Sequence, residues 1–303
     1  MINPDLHKHR IVYLIQDLIP YINWSYFFHA WNFEMRFSRI ADIHGCDACR
    51  ASWLTAFPEE DRPKASEAMQ LYKEAQRMLA ELNEDHRVQA LFKLCKANAD
   101  GDNLILDGMI FPLLRQQAHH KSNQPNLSLS DFVMPLDYGD TDIVGVFATS
   151  VDKNTELLYA KDPYKRMLIQ TLADRLAEAA TEKMHEEIRK TYWGYAADEN
   201  LSIKDMFSVK YQGIRPAVGY PSLPDQSVNF IIDDILNIKE IGIDLTENGA
   251  MYPHASVTGL LFSHPSSRYF SIGKIDDIQL RDYAVRRKKP IEEMRKFLAG
   301  NLH

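Results

Sequence analysis

Residues 213–221 read Gly213-Ile214-Arg215-Pro216-Ala217-Val218-Gly219-Tyr220-Pro221, and no other stretch limits the backbone as severely. Proline holds φ near −65° and offers no N–H, whereas glycine admits positive φ. With the two interleaved, the segment can be neither helix interior nor central strand. It is a stiff loop that presents a guanidinium, bare backbone groups and an aromatic face. The planar fork of Arg215 suits a carboxylate, which it can grip through two parallel hydrogen bonds. Taken alone, the same residues also fit an ordinary surface turn, and that reading stays open at this point.

The chain has 303 residues, enough to bury a large core in one large domain or two ordinary ones. Its 45% hydrophobic and 25% charged residues are those of a soluble globular protein. The net charge of −7 argues against a nucleic-acid backbone as the main partner. No apolar run approaches a membrane span, and the N-terminus has no signal-peptide core. Three cysteines make no disulfide framework, so a reducing, cytoplasmic setting is expected.

Residue patterning predicts the elements. The segment up to Trp31, rich in aromatic and aliphatic residues, reads as helical and broken at Pro20. Met69, Tyr72, Ala75, Leu79 and Leu82 mark an amphipathic helix starting near Ala65. Leu104–Leu106 follows the Asp100-Gly101-Asp102 turn as a short strand, and Ile143–Ala148 is apolar enough for a buried one. The strongest helix runs from Pro163 to about Tyr192, with Asp162 as N-cap. Leu168, Leu172, Leu176, Ala179 and Ile188 form its apolar face; Glu178 lies off the centre of that stripe, where a carboxylate is ordinarily just solvated. Val228–Ile238 reads as a helix, and 278–298 as helical with Pro290 opening the last one. Ser256–Phe262 and Tyr269–Ile275 read as two strands of a hairpin joined through His264-Pro265-Ser266-Ser267-Arg268. Strands and helices do not alternate regularly. The expected fold class is therefore α+β, with a mainly antiparallel sheet and flanking helices. No linker rich in Gly, Ser or Pro interrupts it, so one domain over 1–303 is expected.

Few groups suggest chemistry by themselves. His44-Gly45-Cys46-Asp47-Ala48-Cys49 has the spacing of a redox pair or half a zinc site. A structural zinc site needs four ligands and Cys95 is the other thiol, so ordinary reduced thiols and no metal are expected. His119-His120 reads as a solvated helix end or loop, and His264 as a turn histidine that could face a ligand. Walker, G-x-G-x-x-G, G-x-S-x-G and H-E-x-x-H signatures are all absent. Nothing here makes a self-contained catalytic machine.

Motifs in order along the chain resemble a known family. The loop at 213–221 is similar to the R-P-A-P-G-Y-P segment of the activation domain of cobalamin-dependent methionine synthase. Tyr21-Ile22-Asn23-Trp24 with Phe27, Phe28 and Trp31 resembles that family's opening Y-I-D-W stretch. Leu114-Arg115-Gln116-Gln117 and Asp131-Phe132-Val133 follow in order. So do Ala173–Ala179, His185-Glu186, Tyr192–Ala196, Tyr211-Gln212 and Phe262-Ser263-His264-Pro265 with Tyr269. The similarity extends from about Ile11 to Leu302, and residues 37–63 are longer than the family usually has, which implies an insertion there.

The resemblance implies S-adenosylmethionine as ligand. Arg215 would meet its carboxylate, Glu178 its ammonium and the backbone of Ala217 its adenine edge, with Tyr220 and Tyr269 packing on it. The family's aspartate in Y-I-D-W is Asn23 here, which keeps the shape and loses the charge. The second proline of the loop motif is Val218, and a following histidine is Gln226. The implied role is reactivation: methylation of oxidised cobalamin carried by a cobalamin-binding domain or subunit, with an electron from flavodoxin or a similar reductase. Because the chain opens at Met1 almost directly on the domain, either a separate subunit working in trans or a fragment is expected. The alternative is a non-catalytic docking protein that keeps the fold and has lost the ligand.

Overall fold

The computed structural model describes residues 4–118 and 125–302; the His119-His120 pair lies outside them. The chain opens with strand β1 (Lys8–Leu14), short helices α1 (Ile15–Leu18), α2 (Trp24–Ala30) and α3 (Met35–Ser38), then α4 (Asp47–Thr55) and the long α5 (Arg62–Asp85). Strands β2 (Arg87–Asp100), β3 (Asn103–Leu106), β4 (Met109–Pro112) and β5 (Asp142–Val151) come next. After them stand α6 (Pro163–Glu187), α7 (Ile203–Phe207) and α8 (Asn229–Leu236). A small pair β6 (Asp244–Leu245) and β7 (Met251–Tyr252), strand β8 (Ser256–Leu261), and helices α9 (Asp277–Arg287) and α10 (Ile291–Phe297) complete the described fold. The architecture is α+β, as expected.

All pairings in the main sheet are antiparallel, in the order β4-β3-β2-β5-β8, and β1 also pairs with β2. Strand β2 organises the sheet. Its fourteen residues pair with β5 over most of their length, while β1 and β3 take successive halves of its other edge. Side chains alternate faces along a strand. Val88, Ala90, Phe92 and Leu94 join the core built with α5 and α6, whereas Leu91, Cys95 and Ala97 join the core built with α8. A sheet buried on both faces needs near-continuous apolar strands, which is why Ile143–Ala148 shows no polar alternation. Asp162 caps α6 by accepting from the Lys165 amide, and Pro163 fills its first position. No helix among the described residues is long and apolar enough to cross a membrane.

Two expected elements differ. The N-terminal segment begins as a strand, not a helix: Lys8, Arg10 and Val12 are exposed while His9, Ile11 and Tyr13 turn inward, a period of two. Helical structure starts only at Ile15, and Pro20 sits in a 3-10 turn between α1 and α2. The predicted hairpin after Ser256 is also absent. Strand β8 forms, but residues 269–275 are not a strand.

The edge of β8 meant for that hairpin is occupied by the 213–221 loop. Ile214 and Phe262 exchange both backbone bonds at 2.9 Å, Leu260 N donates to Pro216 O at 3.0 Å, and Val218 N donates to Thr258 O at 2.9 Å. Gly259 makes this possible: a Cβ there would stand 2.3 Å from Pro216 O and 2.9 Å from Ala217 Cα. Gly213, at φ +91°, is equally tight against Phe262 O. Beyond the loop, buried Asp225 accepts from the Tyr283 hydroxyl at 2.8 Å and pairs with Arg287 at 3.3 Å, tying α9 to the segment after Pro221.

Gly259→Ala should therefore push the loop off β8. The expected cost is about 1–3 kcal/mol, as for other overpacked sites. Urea unfolding should show the lowered midpoint, and amide exchange should show faster loss of protection at Val218. A variant as stable and as protected as the parent would contradict this seating of the loop.

Candidate ligand cleft

Helix α6 contributes one continuous face. Arg175, Glu178, Glu182 and His185 recur at steps of three and four, which places them one above another. All but the buried His185 line a cleft together with the 215–222 loop, the start of α2, the α7 region and residues 269–271. Its volume is about 750 Å³, within the range of cavities that enclose small molecules. Asn23, Glu178, Arg215, Ala217, Tyr220 and Tyr269 all lie on its wall. They come from two helices, a loop and an extended segment, so only the fold brings them together.

Arg215 is the most tightly held. Its Nη1 donates to Glu182 Oε1 at 3.0 Å and to the Tyr211 hydroxyl at 2.7 Å, and its Nη2 donates to Glu182 Oε2. The end-on fork that the sequence offered to a ligand carboxylate is thus taken by Glu182, whose side chain is only 6% exposed. The Nε–H and the second Nη2 hydrogen have no partner among the described residues. Together they form the side-on fork of the guanidinium. The Arg215 amide donates to the Tyr269 hydroxyl at 3.0 Å.

Below this pair, Arg215 Nη1 also meets His185 Nδ1 at 3.2 Å. A guanidinium only donates, so Nδ1 is the acceptor and the imidazole proton sits on Nε2. Burial first, then the cations of Arg189 and Arg215, hold the pKa of His185 well below 6.5, and the ring stays neutral. Arg189 is itself fully buried, paired with Glu199 through Nε at 3.0 and 3.1 Å, and its guanidinium lies 4.3 Å from the Tyr211 ring centre.

Nearer the surface, the Tyr220 hydroxyl donates to Glu178 Oε1 at 2.9 Å. Burial and then the Glu178 charge push the Tyr220 phenol up to about 12, so it remains a donor at neutral pH. Asn23 caps α2, its Oδ1 accepting from the Ser25 amide at 3.2 Å. At Ala217 the carbonyl accepts from Tyr220 N at 3.3 Å, and the N–H has no partner among the described residues.

Glu182 escaped the sequence reading, although it stands one turn beyond Glu178 and helical spacing alone could have found it. Met206, Phe207 and Val209 also line the cleft, and no local sequence signal marked them. His264 does not line it: its Nδ1 accepts from Ser266 N at 3.1 Å within the turn. Gln226 is exposed on a 3-10 turn outside the lining. Val218 donates a backbone bond to β8 that proline could not make.

Comparison with known proteins settles kinship. Residues 14–288 match the family described as vitamin B12 dependent methionine synthase, activation domain. The chain belongs to that family. Among solved structures it is similar to a crystal structure of the MetH reactivation domain bound to AdoHcy, with a TM-score of 0.86 and 34% identity over 99% of this chain and 93% of that one. In this activation domain the six residues singled out by resemblance therefore share a single cleft.

The buried network predicts a pH response. Unfolded, His185 takes up a proton below about 6.5; folded, it does so only far lower. Its contribution to stability is complete above that pH and is lost as pH falls below it, with a slope approaching about 1.4 kcal/mol per pH unit. Urea unfolding between about pH 5 and 7 should show this slope, and His185→Gln should remove His185's share of it. Equal slopes in the two proteins would mean that His185 titrates like a solvated histidine.

Proposed function

We propose that the cleft binds S-adenosylmethionine and that the chain serves as the reactivation module of a cobalamin-dependent methionine synthase. The convergence of Asn23, Glu178, Arg215, Ala217, Tyr220 and Tyr269 on one cavity of small-molecule size carries this reading. The likeness to a domain structure bound to AdoHcy supports it. The free side-on fork of Arg215 suits the ligand carboxylate, and Glu178 suits the ammonium. The unpaired N–H of Ala217 suits an acceptor on the adenine edge. Tyr26, Tyr220 and Tyr269, each more than 40% exposed, offer aromatic faces. On this reading the ligand supplies the methyl group. A cobalamin-binding domain of the same enzyme system receives it, and flavodoxin or a similar reductase supplies the electron. The protein positions the sulfonium methyl and contributes no reacting group of its own.

Asn23 favours a second reading, docking without the ligand, because it removes a negative charge from the cationic end of the site. Gln226, the other departure that favoured it, lies outside the cleft and carries no weight there.

Calorimetric titration separates the two. Asn23→Asp should tighten S-adenosylmethionine binding about tenfold or more, the worth of one charge-assisted hydrogen bond. Arg215→Lys keeps the charge and loses the fork, and should weaken binding by a similar factor. Thermal melts without ligand should first establish that both variants are folded. If folded parent and Asn23→Asp both fail to bind at millimolar ligand, the docking reading replaces this one.

A further inference from the structure

The segment between α3 and α5, read from sequence as longer than the family pattern, has a fixed internal structure. Phe37 stacks on Phe57 with ring centres 5.2 Å apart, and Trp53 meets Phe57 edge-on at 4.8 Å. These contacts hold α4 in place. Cys46 is the N-cap of that helix, its Sγ accepting from the Cys49 amide at 3.3 Å. The turn gathers three donors of one kind of chemistry: a ring nitrogen of His44 and the two sulfurs of Cys46 and Cys49, all within 4.8 Å of one another. None of the three lines the ligand cleft.

We propose that His44, Cys46 and Cys49 bind one thiophilic divalent cation, Zn²⁺, with its fourth position left to water or to a donor from another molecule. Two thiolates and an imidazole are zinc's preferred donors. Bond lengths of about 2.3 Å to sulfur and 2.0 Å to nitrogen bring tetrahedral donors to roughly 3.5–3.8 Å apart. The cluster must therefore contract by about an ångström. His44 is exposed and both cysteines are half-buried, so side-chain rotation can supply that.

Binding as thiolates would release the protons of both thiols to solvent. Cys95 cannot complete the set, because it is buried in β2 and held as a thiol: burial pushes it up to about 12. Among the described residues no other His, Cys, Asp or Glu joins the group, which leaves three protein ligands and an open fourth position.

The test uses the full chain, reduced and stripped of metal, titrated with Zn²⁺ against a chromophoric chelator and with Co²⁺ as a spectroscopic probe. One equivalent should bind with micromolar or tighter affinity, and Co²⁺ should show thiolate charge transfer with the intense visible bands of a four-coordinate site. Losing a merely supporting residue typically costs ten- to hundredfold in metal affinity, so Cys49→Ser should cost at least about 100-fold and abolish the charge transfer. His44→Ala should cost at least about tenfold while keeping it. Melts of the metal-free variants should match the parent, since these side chains stand outside the core. Absence of stoichiometric binding, affinity unchanged in Cys49→Ser, or a Cys46–Cys49 disulfide that persists in reduced glutathione would each overturn the proposal.

Discussion

The seating of residues 214–218 on the edge of β8 is the constraint on which the cleft depends. Without side chains at Gly259 and Gly213, the loop backbone approaches the strand closely enough to exchange ladder bonds. The loop thereby becomes a last, irregular strand. It needs no proline N–H in the ladder, because Pro216 contributes only its carbonyl. The alternation of a strand then turns Arg215 and Ala217 the same way relative to their bonded neighbours. A loop placed by backbone bonds to a central sheet is far stiffer than one held by side chains, and this stiffness is what a binding wall requires.

Electrostatics complete what the backbone begins. Arg215, Glu182 and Tyr211 on the cleft wall, with His185, Arg189 and Glu199 behind them, form one continuous network. Two arginines are matched by two glutamates, so the neutral His185 leaves the charges balanced. Desolvating so many charges gains little net stability by itself. Its effect here is positional: each member fixes the orientation of the next, and Arg215 ends with one fork locked and the other free.

Much of this was legible in the chain. The helix from Pro163, the buried strand around Val144 and the rigid loop each follow from local rules of capping, burial and backbone restriction. The two failures share a cause. The residues of β1 are apolar and aromatic enough for a helix, and their strand form is imposed by pairing with β2. The extended run after Tyr269 looks like a hairpin strand, and is displaced because a loop distant in sequence already holds the edge of β8. Both depend on long-range partners that no window of sequence contains. Glu182 is the opposite case. Its signal was local, in register with Glu178, yet a glutamate on a helix reads as solvated until the fold buries it.

The cleft has the wrong chemistry for acid–base work and the right chemistry for holding. Tyr220 is kept protonated well above neutrality, His185 is buried as a neutral ring with its acceptor nitrogen already used, and Arg215 is fixed in an ion pair. Glu178 accepts a hydrogen bond from the Tyr220 hydroxyl rather than standing free. Transfer of a methyl group from a sulfonium to a strong nucleophile moves no proton. It requires that donor and acceptor be aligned along one axis and that the departing thioether be left neutral. A site with its titratable groups pinned, one arginine fork and one amide left open, and a rim of exposed tyrosines meets that requirement. On the function proposed above, such a site would hold the methyl donor for a reaction whose nucleophile belongs to a partner.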